Sequence, residues 1–285
     1  MALWFSEVAT DGHRLEWKIN KMLYSGRSPY QTIEVLDTDT FGSSLVLDGI
    51  MQTTTGDEFI YHEMLAWVPL SVHPHPERVL VIGGGDGGLV REVLGSSRVK
   101  HLDLVEIDPM VVEVSKKYLH RHVTAFEDPR LSLIIRDGMA YLQEPDIEPY
   151  DLILVDSTDP EGTGPGAVLY TPEFHQRVFS ALNPDGIYVQ QTGTPIYNPE
   201  VLSEASHSVA QIFPLCRVYW CAVPTYPGGF FTFTSGSKAI ELAVPNPTLP
   251  RHRGDWYTPE MHVASFHLPP MIARLLPKPA RLDQD

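Results

Sequence analysis

Four apolar runs in this chain end in carboxylates. Residues 79–82 lead to Asp86, 102–105 to Glu106, 131–135 to Asp137, and 151–155 to Asp156 and Asp159. A lone aspartate after such a run is ordinarily a solvated turn or a helix cap. Like charges brought together are another matter, because they are costly unless a cation joins them. The stretch around Asp86 carries more. Gly83, Gly85 and Gly88 have the G-x-G-x-x-G spacing of a nucleotide loop, in which glycine lets backbone and ligand approach closely. Glu106 follows about 20 residues on, where an acid holds a ribose diol. Asp86 inside the loop is a poor neighbour for a pyrophosphate and a good one for a cation. Together these residues point to a nucleoside carrying positive charge, a sulfonium such as S-adenosylmethionine or a relative, rather than NAD.

A di- or polyamine suits the remaining acidic rim. Its methylenes need aromatic and aliphatic walls, which Tyr61, Trp220, Tyr226 and Phe230 could supply, although core packing is the commoner fate of Trp220 and Phe230. A metal is not expected. His73-Pro-His75 and His120-Arg-His122 fall at the wrong ends of their strands and lack zinc-ligand spacing.

The elements that must position these residues alternate. Strands are expected over 79–82, 102–107, 131–135, 151–155, 187–191, 215–223 and 230–234, and helices over 88–95, 108–119, 171–182 and 198–212. Such alternation predicts an α/β fold with a mostly parallel sheet, helices on both faces and ligands at the carboxyl ends of the strands. Residues 1–56 read as a separate β unit, with strands at 14–24, 30–36, 41–47 and 50–54 and a hairpin at Asp48-Gly49. Asp57 is expected to cap a helix bearing Ile60, Met64 and Val68, which places the second domain at 57–285. The chain beyond residue 235 is rich in proline and yields no assignment.

Composition excludes some partners. With 285 residues, 43% hydrophobic, the chain can bury a large core, and its net charge of −15 disfavours nucleic acid and anionic membranes while attracting cations. Cys216 and Cys221 have an odd separation within one expected strand, so they face opposite ways and cannot readily bridge. That fits a reducing, cytoplasmic compartment. No signal peptide and no membrane-spanning run are expected.

The motifs in order resemble those of the polyamine aminopropyltransferases, the spermidine synthase family. The matching stretches are Leu47-Asp-Gly-Ile-Met-Gln52, Asp57-Glu-Phe-Ile-Tyr61-His62-Glu63-Met64, Gly83-Gly-Gly-Asp86-Gly, Val105-Glu106-Ile-Asp108, Asp137-Gly138, Asp156-Ser-Thr-Asp159-Pro160 and Pro224-Thr-Tyr226-Pro-Gly-Gly. The resemblance implies a small β domain on a methyltransferase-like Rossmann domain. It implies transfer of an aminopropyl group from decarboxylated S-adenosylmethionine, a co-substrate rather than a tightly bound cofactor, to putrescine. Spermidine and 5′-methylthioadenosine would be the products. By the same resemblance Gln31, Glu106, Asp137, Gly138 and Pro165 hold the methylthioadenosine part. His62, Asp86 and the segment Asp156, Ser157, Thr158 and Asp159 hold the amines, Gln52, Tyr61 and Tyr226 line the pocket, and Asp156 is the base. A homodimer or homotetramer is also implied. The sequence departs from the family in two places: the loop Asp159-Pro-Glu-Gly-Thr-Gly-Pro165-Gly is longer than the usual Asp-Pro-x-Gly-Pro lid, and Gly56 replaces a residue that is often charged.

Two rivals remain at this point. An S-adenosylmethionine-dependent N-methyltransferase would have to admit the methionine carboxylate, which Asp86 opposes. A non-catalytic polyamine-binding protein would not need the glycine loop with Glu106. The acceptor among putrescine, cadaverine, agmatine and spermidine stays open.

Overall fold

The computed structural model describes residues 2–119, 123–160 and 165–278. Two sheets organise them. The first is antiparallel and keeps sequence order: β1 (Leu3–Thr10), β2 (His13–Arg27), β3 (Thr32–Thr38), β4 (Gly42–Leu47) and β5 (Ile50–Thr54). The Asp48-Gly49 turn closes β4 on β5 with Leu47 opposite Ile50, and both turn residues have positive φ, 48° and 83°. That is the turn hand that matches the twist of a hairpin. Strand β1 was not among the expected strands.

The second sheet follows α1 (Glu58–Leu70). Its chain order is β6 (Arg78–Gly83), α2 (Gly88–Leu94), β7 (His101–Glu106), α3 (Pro109–Tyr118), β8 (Leu131–Ile135), α4 (Gly138–Leu142), β9 (Tyr150–Asp156), α5 (Pro172–Ala181), β10 (Leu182–Gln191), α6 (Pro199–Ile212), β11 (Leu215–Ala222) and β12 (Phe230–Ser237), with α7 (Pro259–Ser265) and α8 (Pro270–Ala273) behind. The spatial order is β11-β12-β10-β9-β6-β7-β8. The pairs from β10 to β8 are parallel, while β12 runs antiparallel to both of its neighbours. Alternate residues feed two cores, as the period of a strand requires. Val79, Val81, Leu152 and Leu154 pack with α1 and α2, and Leu80, Ile82, Ile153 and Val155 pack with α4 and α5. Cys216 and Cys221 both lie on β11, are free thiols, and pack on opposite sides of the sheet.

Asp108 caps α3 as its sequence suggests, accepting from the Met110 N–H at 3.0 Å with Pro109 in the first turn. Asp57 corrects an expectation. It precedes α1, but its side chain makes no cap bond and instead accepts from Thr54 Oγ1 at 2.6 Å and from the Thr225 N–H and Oγ1 at 3.0 and 2.8 Å. It ties the loop after β11 to the start of α1. The proline-rich tail is fastened in a similar way. Glu63 on α1 accepts from the N–H groups of Asp255, Trp256 and Tyr257 at 3.0, 2.9 and 2.6 Å.

Candidate active site

The order of the parallel strands reverses between β9 and β6, so their carboxyl ends open a crevice. Gly83 pairs with Asp156 there, and a Cβ on Gly83 would collide with the Asp156 carbonyl oxygen. The absent side chain is what lets the two strand ends meet. A cleft of about 430 Å³ lies over them. Asp86, Glu106, Asp137, Asp156 and Asp159 all line it, as do Gln31, Gln52, Tyr61, His62, Gly83, Gly85, Gly138, Ser157, Thr158 and Tyr226. Pro165 opens a short 3-10 turn, Pro165–Tyr170. Its side chain, residues 161–164 of the longer loop, and the His120–His122 stretch lie outside the described residues.

At one end of the cleft two carboxylates face an imidazole. Tyr61 on α1 donates from its hydroxyl to Asp156 Oδ1 at 2.7 Å. Asp156 Oδ2 is buried and has no hydrogen-bond partner among the described residues. Burial pushes the Asp156 carboxyl up to about 6, and the Asp86 charge adds to the rise. Burial and the Asp156 charge hold Tyr61 well above its ordinary value, so it stays a donor. Asp86 Oδ1 accepts from the Gly88 N–H at 2.8 Å and lies 3.6 Å from His62 Nε2, and Asp156 Oδ2 lies 3.9 Å from the same nitrogen. One oxygen or nitrogen from each of Asp86, Asp156 and His62 falls within 4.8 Å of the others. An ammonium has three N–H groups to offer such a set. Asp159 is steadied by Gln191, whose Nε2 donates to Asp159 Oδ1 and to the Ser157 carbonyl, each at 2.8 Å.

The other end of the cleft is built around Glu106 and the glycine loop. Glu106 at the end of β7 accepts from the Asp108 N–H at 2.9 Å and from the Gly85 N–H at 3.2 Å. Burial nevertheless pushes it up to about 7. Gln31 donates to Asp108 Oδ2 at 3.0 Å, and Gln31 and Glu106 both line the cleft. Asp137 caps α4 through the Ala140 N–H at 2.7 Å. The Gln52 carbonyl accepts from the Tyr226 hydroxyl at 2.6 Å and joins the two domains over the cleft.

At the opposite ends of the strands His73 lies near Asp151 and Asp185. Its Nδ1 accepts from the His75 N–H at 3.2 Å, so the neutral ring carries its proton on Nε2 and aims a donor at the carboxylates, the reverse of what a metal needs.

Comparison with known proteins decides the family. Residues 58–246 match the model described as the spermine/spermidine synthase domain, and residues 3–55 match that of the spermidine synthase tetramerisation domain. The chain belongs to the spermidine synthase family. A polyamine aminopropyltransferase of Desulforudis audaxviator is 44% identical over 274 residues, covering 96% of this chain and 98% of that protein. One of Caldicellulosiruptor saccharolyticus is 43% identical, covering 97% and 99%. A spermidine synthase crystallised with the transition-state analogue AdoDATO superimposes with a TM-score of 0.91 at 39% identity, covering 96% of this chain and 94% of that one. The Thermotoga maritima spermidine synthase gives 0.89 at 38%, with the same coverage.

Within this family fold two of the four candidate walls take the commoner fate of packing. Trp220 and Phe230 do not line the cleft but stack on each other with ring centroids 4.6 Å apart. Phe231, the next residue of β12 and so on its other face, takes the place instead. Sequence reasoning also missed Glu7, Gln191, Thr194 and Tyr197, which all line the cleft. Glu7 is a buried carboxylate that accepts from the Met51 N–H at 2.9 Å. An isolated glutamate in an unassigned strand carries no spacing signal. Gln191, however, ends an expected strand and was open to the same rule that found the aspartates.

Proposed function

We propose that this protein transfers the aminopropyl group of decarboxylated S-adenosylmethionine to putrescine, giving spermidine and 5′-methylthioadenosine. The observation that carries the reading is Asp156 Oδ2, buried and without a hydrogen-bond partner among the described residues, gathered with Asp86 and His62 at one end of the cleft. Glu106 holds the ribose diol, with Gly85 and Gly138 letting the nucleoside lie close to the backbone. Asp86 receives the ammonium of the aminopropyl tail and repels the carboxylate that ordinary S-adenosylmethionine would place there. Putrescine enters along Tyr61 and Tyr226, with one nitrogen at Asp156 and the other end toward Asp159.

An ammonium has no lone pair, and amines of this kind hold their proton to about pH 10. Asp156 Oδ2 takes that proton while Tyr61 supports Oδ1. The nitrogen lone pair then attacks the carbon beside the sulfonium, the C–S bond breaks, and its electrons leave on a neutral thioether. Over the whole reaction an ammonium and a sulfonium become one secondary ammonium, a neutral thioether and a proton on Asp156, so the carboxylates serve by positioning and by accepting the proton. The match to a tetramerisation domain supports a homo-oligomer. Among the described residues no helix is long and apolar enough to cross a membrane.

Asp156→Asn keeps the shape and removes the base. Single-turnover kcat should fall by roughly 10²- to 10⁴-fold, with methylthioadenosine affinity and melting temperature little changed. A folded variant with normal turnover would refute the assignment.

A further inference from the structure

His62 Nδ1 lies 2.6 Å from Glu58 Oε2 one helical turn earlier on α1. Glu58 is fully buried, and Arg91 on α2 grips both of its oxygens, Nη1 to Oε1 and Nη2 to Oε2, each at 2.9 Å. Arg91 is itself held by Glu92 Oε1, and Glu92 Oε2 accepts from the Trp67 indole at 2.9 Å. None of Glu58, Arg91, Glu92 and Trp67 lines the cleft.

We propose that the Arg91–Glu58 pair is a positioning device that dictates which nitrogen of His62 faces the amine. The proposal rests on the aminopropyl-transfer reading. A carboxylate paired at both oxygens with a guanidinium stays ionised, and an ionised carboxylate only accepts. The hydrogen between Glu58 and His62 therefore belongs to Nδ1. Nε2 is then the nitrogen left facing Asp86 and Asp156, and in the neutral ring it is an acceptor. The putrescine ammonium seated at Asp156 then finds a second acceptor in Nε2, beside the Asp86 carboxylate that takes the aminopropyl ammonium. Without the guanidinium, buried Glu58 would take up a proton, donate it to Nδ1 and leave Nε2 protonated. A donor would then point at the incoming ammonium.

Charged and titratable groups face the ring from three elements. Glu58 and Tyr61 face it from its own helix, Asp86 from the loop before α2, and Asp156 from the end of β9. Burial pulls the His62 imidazole down, but the Asp86 and Glu58 carboxylates outweigh it and raise it well above its ordinary value. Those carboxylates favour a proton on Nε2 while the site is empty, and an ammonium bound in its place leaves Nε2 bare and Nδ1 protonated.

The test is the ¹⁵N spectrum of the histidine side chains in the full-length protein with methylthioadenosine and putrescine bound, His62 being assigned by its loss in His62→Gln. Wild type should show Nδ1 protonated and Nε2 bare. Arg91→Met should invert the pair and raise the KM for putrescine about tenfold, the worth of one hydrogen bond to a charged group, while kcat and methylthioadenosine affinity change less than about threefold. Arg91→Lys, which keeps the charge, should restore most of the loss. A wild-type ring protonated on Nε2 in the complex would overturn the proposal without any variant. So would a folded Arg91→Met protein with unchanged tautomer and KM. The expected spectra in a protein that makes no spermidine would uphold the positioning and refute the aminopropyl-transfer reading instead.

Discussion

At the residue scale the site works by giving similar side chains different surroundings. Asp156 and Glu106 are both carboxyls at strand ends, yet Asp156 has a bare oxygen and Glu106 has two backbone donors. The first suits proton transfer and the second suits a diol. Burial pushes Glu106 up to about 7, which gives a pH signature. A diol donates to the ionised form, so methylthioadenosine affinity should weaken as pH falls through about 7, approaching tenfold per unit below it. Calorimetry across that range checks it, and a flat profile would mean that Glu106 does not hold the ribose. The contribution of Glu106 to folding has the opposite dependence on pH. Its raised value keeps the proton on the folded chain longer, so that stabilisation is complete below 4.5 and is lost as pH rises through about 7.

At the element scale the glycine loop packs against α1 as tightly as it is meant to approach a ligand. A Cβ on Gly88 would collide with the His62 ring, which Glu58 holds in place, so the third glycine of the motif spaces two helices as well as shaping the loop. Gly88→Ala should cost about 1–3 kcal/mol by overpacking and raise the amine KM. Gly12→Ala, where a Cβ meets nothing within 4 Å, should do neither. Thermal melting of both, with amine kinetics, separates them, and equal melting of the two would contradict the packing. The strand-then-helix rhythm and the aspartates at the strand ends were legible because period and position announce them locally. The short helix α4 was not, since it is one turn started by Asp137. Nor was the partner of Asp57, which is Thr225, 168 residues away. The tail held by Glu63 was equally invisible, because backbone N–H groups more than 190 residues distant leave no pattern near Glu63.

At the scale of the whole molecule the cleft belongs to both domains. Gln31, just before β3, and Gln52 on β5 come from the N-terminal unit, the aspartates and Glu106 from the second sheet and its loops, and the bond from Tyr226 to the Gln52 carbonyl joins them. Edge strand β1 adds Glu7, which the sequence hid because apolar residues fall on both faces of the strand and its most buried place holds a carboxylate. A net charge of −15 draws cationic amines toward the surface, and in the proposed reading the placing of Asp86 decides which sulfonium is accepted. The central claim is therefore a choice of group transferred. The most direct measurement mixes the protein with putrescine and either decarboxylated or ordinary S-adenosylmethionine and identifies the products by mass. The account predicts spermidine and methylthioadenosine in equal amounts from the decarboxylated donor and no transfer from the carboxylated one. A methylated amine with S-adenosylhomocysteine, or spermine formed from spermidine in preference to spermidine from putrescine, would contradict it.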